Sequence, residues 1–201
     1  MASYYRERER NGRWGKKLVL LLAVLAVGLV ILFGVVPKLK QGSQPSSEQG
    51  SLSENSSERV RVYDAEKYTF GLPDGWKVLE ADEVKSLNAS GGIKSADDKA
   101  LATITITSAA VDADRLLSTL ERRQSSLPGY RKVNSEEVKI GNRQGVKFTY
   151  AYSNNSTRTT QTIYAASANK ETYYLAFTAA SDEYDRYEDD WNKILSNYRI
   201  K

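Results

Sequence analysis

The sequence predicts an α+β domain, in which an antiparallel β-sheet is flanked by helices, preceded by one transmembrane helix. Three observations predict this fold class. A run of 19 apolar residues lies near the N-terminus, apolar and polar residues alternate along several segments beyond residue 58, and two later segments change to helical spacing. Because the loops between consecutive predicted strands are short, these strands have to pair antiparallel.

Residues 1–17 are a basic tail that we expect on the cytoplasmic side of a membrane. They hold six Lys or Arg residues against two Glu, a net charge of +4, which equals the formal net charge of the whole chain. Residues 59–201 hold 21 basic and 20 acidic residues and are nearly neutral. The charge balance therefore does not support a basic nucleic-acid-binding surface on the folded part, and we expect no nucleic-acid partner.

Residues 18–36 form the predicted transmembrane segment, LVLLLAVLAVGLVILFGVV. The run contains no charged residue, and as a helix it would span about 28 Å, close to the thickness of the hydrocarbon core of a bilayer. The alternative is a core helix of a soluble domain, but a helix of a soluble domain would show a polar face, which this run lacks. The run is longer than the apolar region of a signal peptide, and no small-x-small cleavage site follows it, so we expect an uncleaved signal anchor.

The cations that flank the apolar run predict its orientation. Six of them precede the run, whereas only Lys38 and Lys40 follow it closely. The positive-inside rule then places the N-terminus in the cytoplasm and the C-terminal part outside the plasma membrane. The lipid bilayer is thus the expected partner of residues 18–36.

A Ser-rich linker, residues 37–58, is predicted between the membrane and the domain. From Gln41 to Glu58 its one aliphatic residue is Leu52. Such a segment cannot bury a core and is expected to be a flexible tether. Residues 59–201 are then the extracytoplasmic domain.

Alternation of apolar and polar residues predicts the strands of this domain. The predicted strands are Arg59–Tyr63, Tyr68–Leu72, Ala100–Thr107, Glu137–Ile140, a strand through residues 146–152, Thr159–Ser167 and Glu171–Ala179. Residues 141–143 and 168–170 are predicted hairpin turns, and Pro73-Asp74-Gly75 is a predicted turn just before Trp76.

Helical spacing of apolar residues predicts two helices. The first runs from Asp112 to Ser125, and its inward side holds Leu116, Leu117, Leu120 and Gln124. The second runs from Ser181 to Asn197, and its inward side holds Tyr184, Tyr187, Trp191, Ile194, Leu195 and Tyr198. Asp182, Glu183 and Asp185 fall in the predicted first turn of this second helix, where acidic residues suit the helix dipole.

The residue types exclude several classes of site. The chain has no Cys and no His, which excludes disulfides, thiolate nucleophiles and Cys/His zinc sites. No nucleotide-binding or nucleophile-elbow motif occurs. Ser167 and Lys170 match S-x-x-K, but they lie between two predicted strands and not on the helical turn that this dyad requires. We therefore predict no catalytic residue, no cofactor and no enzymatic activity.

Carboxylates cluster at Asp97-Asp98, at Asp112 and Asp114, and along Asp182–Asp190. Carboxylate oxygens suit a hard cation, and a pair of carboxyl groups can hydrolyse glycosides. The three clusters lie in a predicted turn, at the start of a predicted helix and on a solvated helix face, so we predict no metal site. A cell-envelope hydrolase that uses carboxylates stays open as an alternative.

The Thr-rich faces of the predicted strands are the candidate interaction surface. If helices cover one side of the sheet, threonines on the other side could contact a protein or a glycan; the alternative is a plain solvated face. The candidates are Thr103, Thr105, Thr107, Thr149 and Thr162.

Four motifs spread over residues 60–201 resemble the PsbP-like family. They are F-x-L-P-x-G-W from Phe70 to Trp76, A-T-I-T-I from Ala102 to Ile106, L-P-G-Y from Leu127 to Tyr130, and W-x-x-I-L-x-x-Y-R-I from Trp191 to Ile200. The resemblance implies an antiparallel sheet between helices and a non-enzymatic binding or assembly role. It also implies that the Pro-Asp-Gly turn is a scaffold feature that delivers Trp76 into the core.

Four functions follow as expectations. The first is a single-pass membrane protein whose PsbP-like domain binds an extracytoplasmic protein or envelope component. The second is the cell-envelope hydrolase. The third is an extrinsic subunit of the photosystem II type, related to calcium retention in the oxygen-evolving complex, although this chain has no His to match the metal-binding ones of those subunits. The fourth is a tethered sensor that reports through the cytoplasmic arm.

Overall fold

A computed structural model describes residues 51–56, 59–154 and 156–201, which form two antiparallel sheets and three α-helices. The strands are β1 (Ser51–Ser56), β2 (Arg59–Asp64), β3 (Tyr68–Leu72), β4 (Lys77–Val78), β5 (Gly91–Lys94), β6 (Ala100–Thr107), β7 (Arg131–Ile140), β8 (Arg143–Asn154), β9 (Thr157–Ala168), β10 (Glu171–Ala180) and β11 (Arg199–Ile200). The helices are α1 (Ala81–Ser86), α2 (Ala113–Gln124) and α3 (Glu188–Ser196), and a 3-10 helix, Tyr184–Tyr187, precedes α3. The predicted antiparallel α+β architecture is confirmed, with more sheet and less helix than expected.

The strands divide into a small and a large sheet. The small sheet has the order β1-β2-β3-β11, and the large sheet has the order β4-β5-β6-β10-β9-β8-β7. All of these neighbours pair antiparallel. In the predicted turn between β9 and β10, Asn169 and Lys170 have φ values of 52° and 66°, as a tight two-residue hairpin turn requires.

The small sheet is closed by β11, which lies far from its partner in sequence. Arg199 of β11 pairs with Thr69 of β3. The backbone N–H of Lys201 donates to the carbonyl oxygen of Lys67 at 3.0 Å, and its Nζ donates to Asp64 Oδ1 at 2.6 Å. These contacts hold the last residues against the strands that open the domain.

Strand β7 is longer than the alternation predicts, since it begins at Arg131 and not at Glu137. It is an edge strand of the large sheet, and residues 131–134 are all exposed. A strand without a buried face shows no alternation, so its first half could not be found from hydrophobic period. A register shift between Lys132 and Asn134 leaves Val133 unmatched.

The second predicted helix is shorter than expected and starts later. Residues 181–183 form a turn, closed by the N–H of Glu183 donating to Ala180 at 3.0 Å, and the 3-10 helix follows. The acidic residues in the first turn of α3 are therefore Glu188, Asp189 and Asp190, and not the predicted Asp182, Glu183 and Asp185. Helix α1 was not predicted, because six residues are too few to show a helical period.

Of the predicted N-terminal segments, the structure describes one part, residues 51–56 of the linker. Strand β1 lies inside the predicted linker and pairs with β2, from Ser51 opposite Asp64 to Ser56 opposite Arg59. The prediction of a tether up to residue 58 is therefore wrong for residues 51–56, because backbone pairing needs no apolar side chain. The predicted transmembrane segment lies outside the described residues, and none of the described helices has the length and apolar character to cross a membrane.

Two main cores lie on opposite faces of the large sheet. The first core joins the small sheet and α3 to the large sheet, and its members include Phe70, Trp76, Phe177, Trp191 and Ile194. The second core packs α2 on the other face, and its members include Leu116, Leu120, Phe148, Tyr150 and Ile163. A smaller cluster of Leu79, Leu87 and Leu101 lies beside α1. Apolar packing thus occurs on both faces of the large sheet.

Candidate functional site

The Pro-Asp-Gly turn places Trp76 in the first core. The N–H of Trp76 donates to the carbonyl oxygen of Pro73 at 3.1 Å, and Gly75 has a φ of 79°, which closes the turn. The Trp76 ring is 4% exposed, and its Nε1 donates to Asp190 Oδ2 at 2.9 Å. It meets the Trp191 ring edge-on at a centroid distance of 5.3 Å. The turn has the scaffold role that the sequence indicates.

Asp97 is the most highly bonded carboxylate of the predicted clusters. Its oxygens accept hydrogen bonds from Ser95 at 2.6 Å and from the Tyr187 hydroxyl at 2.9 and 3.0 Å. Burial alone would raise the pKa of Asp97, but these bonds and one from the Lys99 backbone outweigh it and lower that pKa. Burial and the Asp97 carboxylate raise the pKa of Tyr187 to about 12. The pair joins the turn before β6 to the 3-10 helix, which is a structural use of the carboxylate.

Acid should weaken the domain partly through Asp97. A carboxyl whose pKa is lowered by folding stabilises the folded state above its unfolded pKa of about 3.9, and loses that contribution as pH falls through the folded pKa. We therefore expect the unfolding free energy of the wild type to drop between about pH 5 and pH 3, and to drop less steeply in Asp97→Asn. Urea denaturation at several pH values measures both slopes. Asp185→Asn is the matched control, because Asp185 is an exposed carboxylate in the 3-10 helix that Asp97 contacts through Tyr187. Identical slopes for wild type and Asp97→Asn would contradict the assignment.

The other predicted carboxylates are spread over the surface or used locally. Asp98 pairs with Lys94 at 3.2 Å. Asp112 occupies the N-cap position of α2, as predicted, although its side chain forms no capping hydrogen bond. Asp190 is used by Trp76. In the described part of the chain, no group of three or more metal-ligating side chains is close enough to hold an ion.

Ser167, the serine of the S-x-x-K match, has a structural role. Ser167 Oγ donates to the carbonyl oxygen of Val111 at 2.7 Å and accepts from the N–H of the same residue at 3.0 Å. Its hydroxyl therefore anchors the segment that leads into α2. Lys170 lies in the β9–β10 turn and is exposed.

The five candidate threonines do not share a face, so the prediction of one Thr-lined surface is wrong. In β6, Ala102 and Ile104 point into the first core, which places Thr103, Thr105 and Thr107 on the α2 side of the sheet. These three side chains are half-buried, and their cross-strand partners are Ala176, Tyr174 and Thr172. They form the β6 threonine row, which is the part of the predicted surface that reaches solvent.

Thr149 and Thr162 lie on the opposite face, with α3. Both are buried, they are cross-strand partners, and their Oγ1 atoms are 2.9 Å apart. The Tyr184 hydroxyl donates to Thr162 Oγ1 at 2.7 Å. This pair is part of the packing and does not offer a binding surface. For the β6 threonine row, contact with a partner stays a prediction.

A buried polar network in the second core was missed at the level of sequence. Gln161 is 2% exposed; its Oε1 accepts from the Tyr150 hydroxyl, and its Nε2 donates to Thr178 at 2.7 Å. The available signal was a Gln on the same face of β9 as Ile163 and Ala165. Alternation alone does not say that its partners lie on the two flanking strands.

The described residues thus define an α+β domain in which helices pack on both faces of an antiparallel sheet and most notable polar side chains serve the fold. The chain belongs to the PsbP-like protein family, whose model matches residues 18–200. No curated protein matches the chain.

Several solved structures resemble the domain. LpqN of Mycobacterium tuberculosis, described as involved in cell envelope biogenesis, is 18% identical, with a TM-score of 0.53 over 76% of this chain and 91% of that chain. Cyanobacterial PsbP from Synechocystis sp. PCC 6803 is 11% identical, with a TM-score of 0.48 over 83% and 100% of the two chains. The Saccharomyces cerevisiae Ran-binding protein Mog1p is 5% identical, with a TM-score of 0.47 over 76% and 96%. The likeness to LpqN shows the fold.

Proposed function

We propose that the chain is a single-pass membrane protein that displays its PsbP-like domain outside the cell as a non-enzymatic binding or assembly module. The observation that carries the proposal is the extent of the family match. It begins at Leu18, the first residue of the apolar run, and ends at Ile200, so the run and the domain belong to one family pattern. The cations before residue 18 favour a cytoplasmic N-terminus.

The partner in this proposal is an extracytoplasmic protein or another component of the cell envelope. The fold neighbour LpqN, which is described as involved in cell envelope biogenesis, supports an envelope role. The β6 threonine row is the proposed contact surface, because its three side chains are only half-buried. Its hydroxyls can both donate and accept hydrogen bonds.

The hydrolase alternative finds no support among the described residues. In the part of the chain that the structure describes, Glu171 and Glu183 are, like Asp97, carboxyls whose pKa the fold lowers. Hydrogen bonds from Lys67 to Glu171 and from Lys99 to Glu183 lower the pKa of each carboxyl. A catalytic acid needs the opposite, a carboxyl whose pKa is raised towards neutrality.

External proteolysis tests the topology. We expect a protease added to intact cells to remove the domain from the full-length chain, and a variant lacking residues 18–36 to stay in the aqueous phase without detergent. The full-length chain stays in the membrane because moving its 19-residue apolar run from the bilayer into water is costly, and the deletion variant has no such run. A domain that becomes accessible only after the cells are lysed would contradict the proposed orientation.

Site-specific photo-crosslinking tests the binding role. A photoreactive residue in place of Thr105 should yield a discrete adduct in the native membrane, whereas one in place of Asp185, exposed beside α3, should not. An adduct from Asp185 alone would move the contact to the other face. Absence of any adduct from exposed positions on both faces would contradict the binding role itself.

A further inference from the structure

The C-terminal half of α2 buries polar atoms that have no hydrogen-bond partner. Gln124 has no exposed surface, and neither its Oε1 nor its Nε2 has a partner among the described residues. The same holds for Arg123 Nη1 and the Tyr130 hydroxyl. The Tyr152 hydroxyl is also unpaired, since Thr159 lies near it without forming a hydrogen bond of normal geometry. These five atoms belong to one region, whereas the remaining two unpaired side-chain atoms of the described part, on Trp191 and Tyr198, lie in the first core.

The chain geometry brings these groups together. Gln124 follows Leu116 and Leu120 at spacings of eight and four residues, so it continues the apolar stripe of α2. The loop after α2 returns to β8, where the N–H of Ser153 donates to Pro128 at 2.7 Å. The Tyr130 ring then lies 6.0 Å from the Tyr150 ring. The unpaired groups thus surround the contact between the end of α2, this loop and β8.

Burying these unpaired atoms beneath the end of α2 and the loop after it is less favourable in free energy than exposing them to water. A buried polar group without a partner loses its hydrogen bonds to water and receives nothing in return. These atoms have almost no solvent-accessible surface, so bulk water does not reach them while the segment is closed. Burial raises the pKa of the Tyr130 and Tyr152 hydroxyls, which shows the same unfavourable desolvation of charge.

The N-terminal end of α2 is held differently. The N–H of Val111 donates to Ser167 Oγ at 3.0 Å and to Thr172 Oγ1 at 3.2 Å, and Thr172 Oγ1 donates to the carbonyl oxygen of Ala109 at 2.7 Å. Leu116 and Leu120 are 1% exposed in the second core. The start of the helix is therefore anchored by several hydrogen bonds. Its other end carries the unpaired groups, and the loop that follows is held to β8 by the Ser153–Pro128 hydrogen bond and by buried Leu127.

We propose that residues 121–130 form a flap that opens away from β8 about the anchored part of α2. Opening exposes Arg123, Gln124 and Tyr130 to water. It also uncovers the aromatic side chains of β8 in the second core, which are Phe148, Tyr150 and Tyr152. The flap is a conformational device of the domain and does not depend on the membrane topology or the partner proposed above. The flap lies on the same face of the large sheet as the β6 threonine row, so its opening changes the shape of that face and leaves the α3 face unchanged.

A pair of matched glutamine variants tests the flap. Gln124→Met keeps the side-chain length and removes the unpaired amide, whereas Gln161→Met removes an equally buried amide whose two atoms are paired. In hydrogen–deuterium exchange of the detergent-solubilised full-length chain, residues 121–130 of the wild type should exchange faster than α3. Gln124→Met should slow that exchange about tenfold and raise the urea midpoint, while Gln161→Met should lower the midpoint. A lowered midpoint in both variants would overturn the flap, because the Gln124 amide would then be bonded.

A second measurement uses the absence of cysteine from the chain. Leu127→Cys places one thiol on the inner side of the flap, and Ile194→Cys places one in the first core; both parent side chains are buried. We expect a maleimide to label residue 127 about tenfold faster than residue 194, because local opening is easier than opening of the first core. Equal labelling rates would overturn the proposal.

Discussion

Replacing Trp76 by alanine is expected to lower the free energy of unfolding by about 3–5 kcal/mol, because the ring is buried and truncation leaves a large cavity. The ring packs edge-on against Trp191 and Tyr187, at centroid distances of 5.3 and 6.1 Å. Its loss also leaves Asp190 without the Nε1 hydrogen bond. Urea denaturation followed by far-ultraviolet circular dichroism measures the change without relying on Trp fluorescence.

Trp76→Phe separates the ring from its hydrogen bond. Phenylalanine keeps most of the apolar contact but cannot donate to Asp190, so a smaller loss of about 1–3 kcal/mol is expected. The scaffold role of Trp76 would be contradicted if Trp76→Ala unfolded at the wild-type urea concentration and yet lost the adduct formed from position 105.

Gly71→Ala should be the second most damaging single change, with a loss of about 2–3 kcal/mol in unfolding free energy. A methyl group on Gly71 would overlap the backbone carbonyl oxygen of Lys193 and would come within 3.3 Å of Asn197 Nδ2. Backbone atoms of α3 cannot rotate away, so β3 and α3 would have to separate. The same denaturation experiment measures the loss.

Gly141→Ala is the matched control for this steric effect. A methyl group there meets nothing within 4 Å, but Gly141 has a φ of 62°, which disfavours a side chain. The expected loss is about 1 kcal/mol and comes from backbone conformation alone. A Gly71→Ala variant no less stable than Gly141→Ala would show that β3 and α3 are not in tight contact.

Local pattern predicted the elements that bury one face. Strands β3 and β6 have the predicted bounds, and Trp76 lies where the turn motif implies. In each case the information lies within a few neighbouring residues, because the side-chain period of a strand is fixed by its backbone. The exposed start of β7 and the six-residue α1 have no such period, so no local pattern could reveal them.

The faces of the candidate site required information that is not local. Thr105 and Thr149 read alike in sequence, since each alternates with apolar residues, but β10 and β9 separate their strands in the sheet. The apolar neighbours of Thr105 face the first core, whereas those of Thr149 face the second core, and this difference depends on where each strand lies in the sheet. The unpaired amide of Gln124 was equally hidden, because a stripe position predicts burial and says nothing about hydrogen-bond partners.

The pairing of β11 with β3 has a consequence for the nascent polypeptide. The ribosome completes β3 early, yet its outer neighbour emerges more than a hundred residues later, after the whole large sheet has been made. Until then the N–H and C=O groups along one side of β3 have no neighbouring strand, so they are open to pairing with strands of other chains. The interval of greatest aggregation risk therefore lasts through almost the entire translation of this domain.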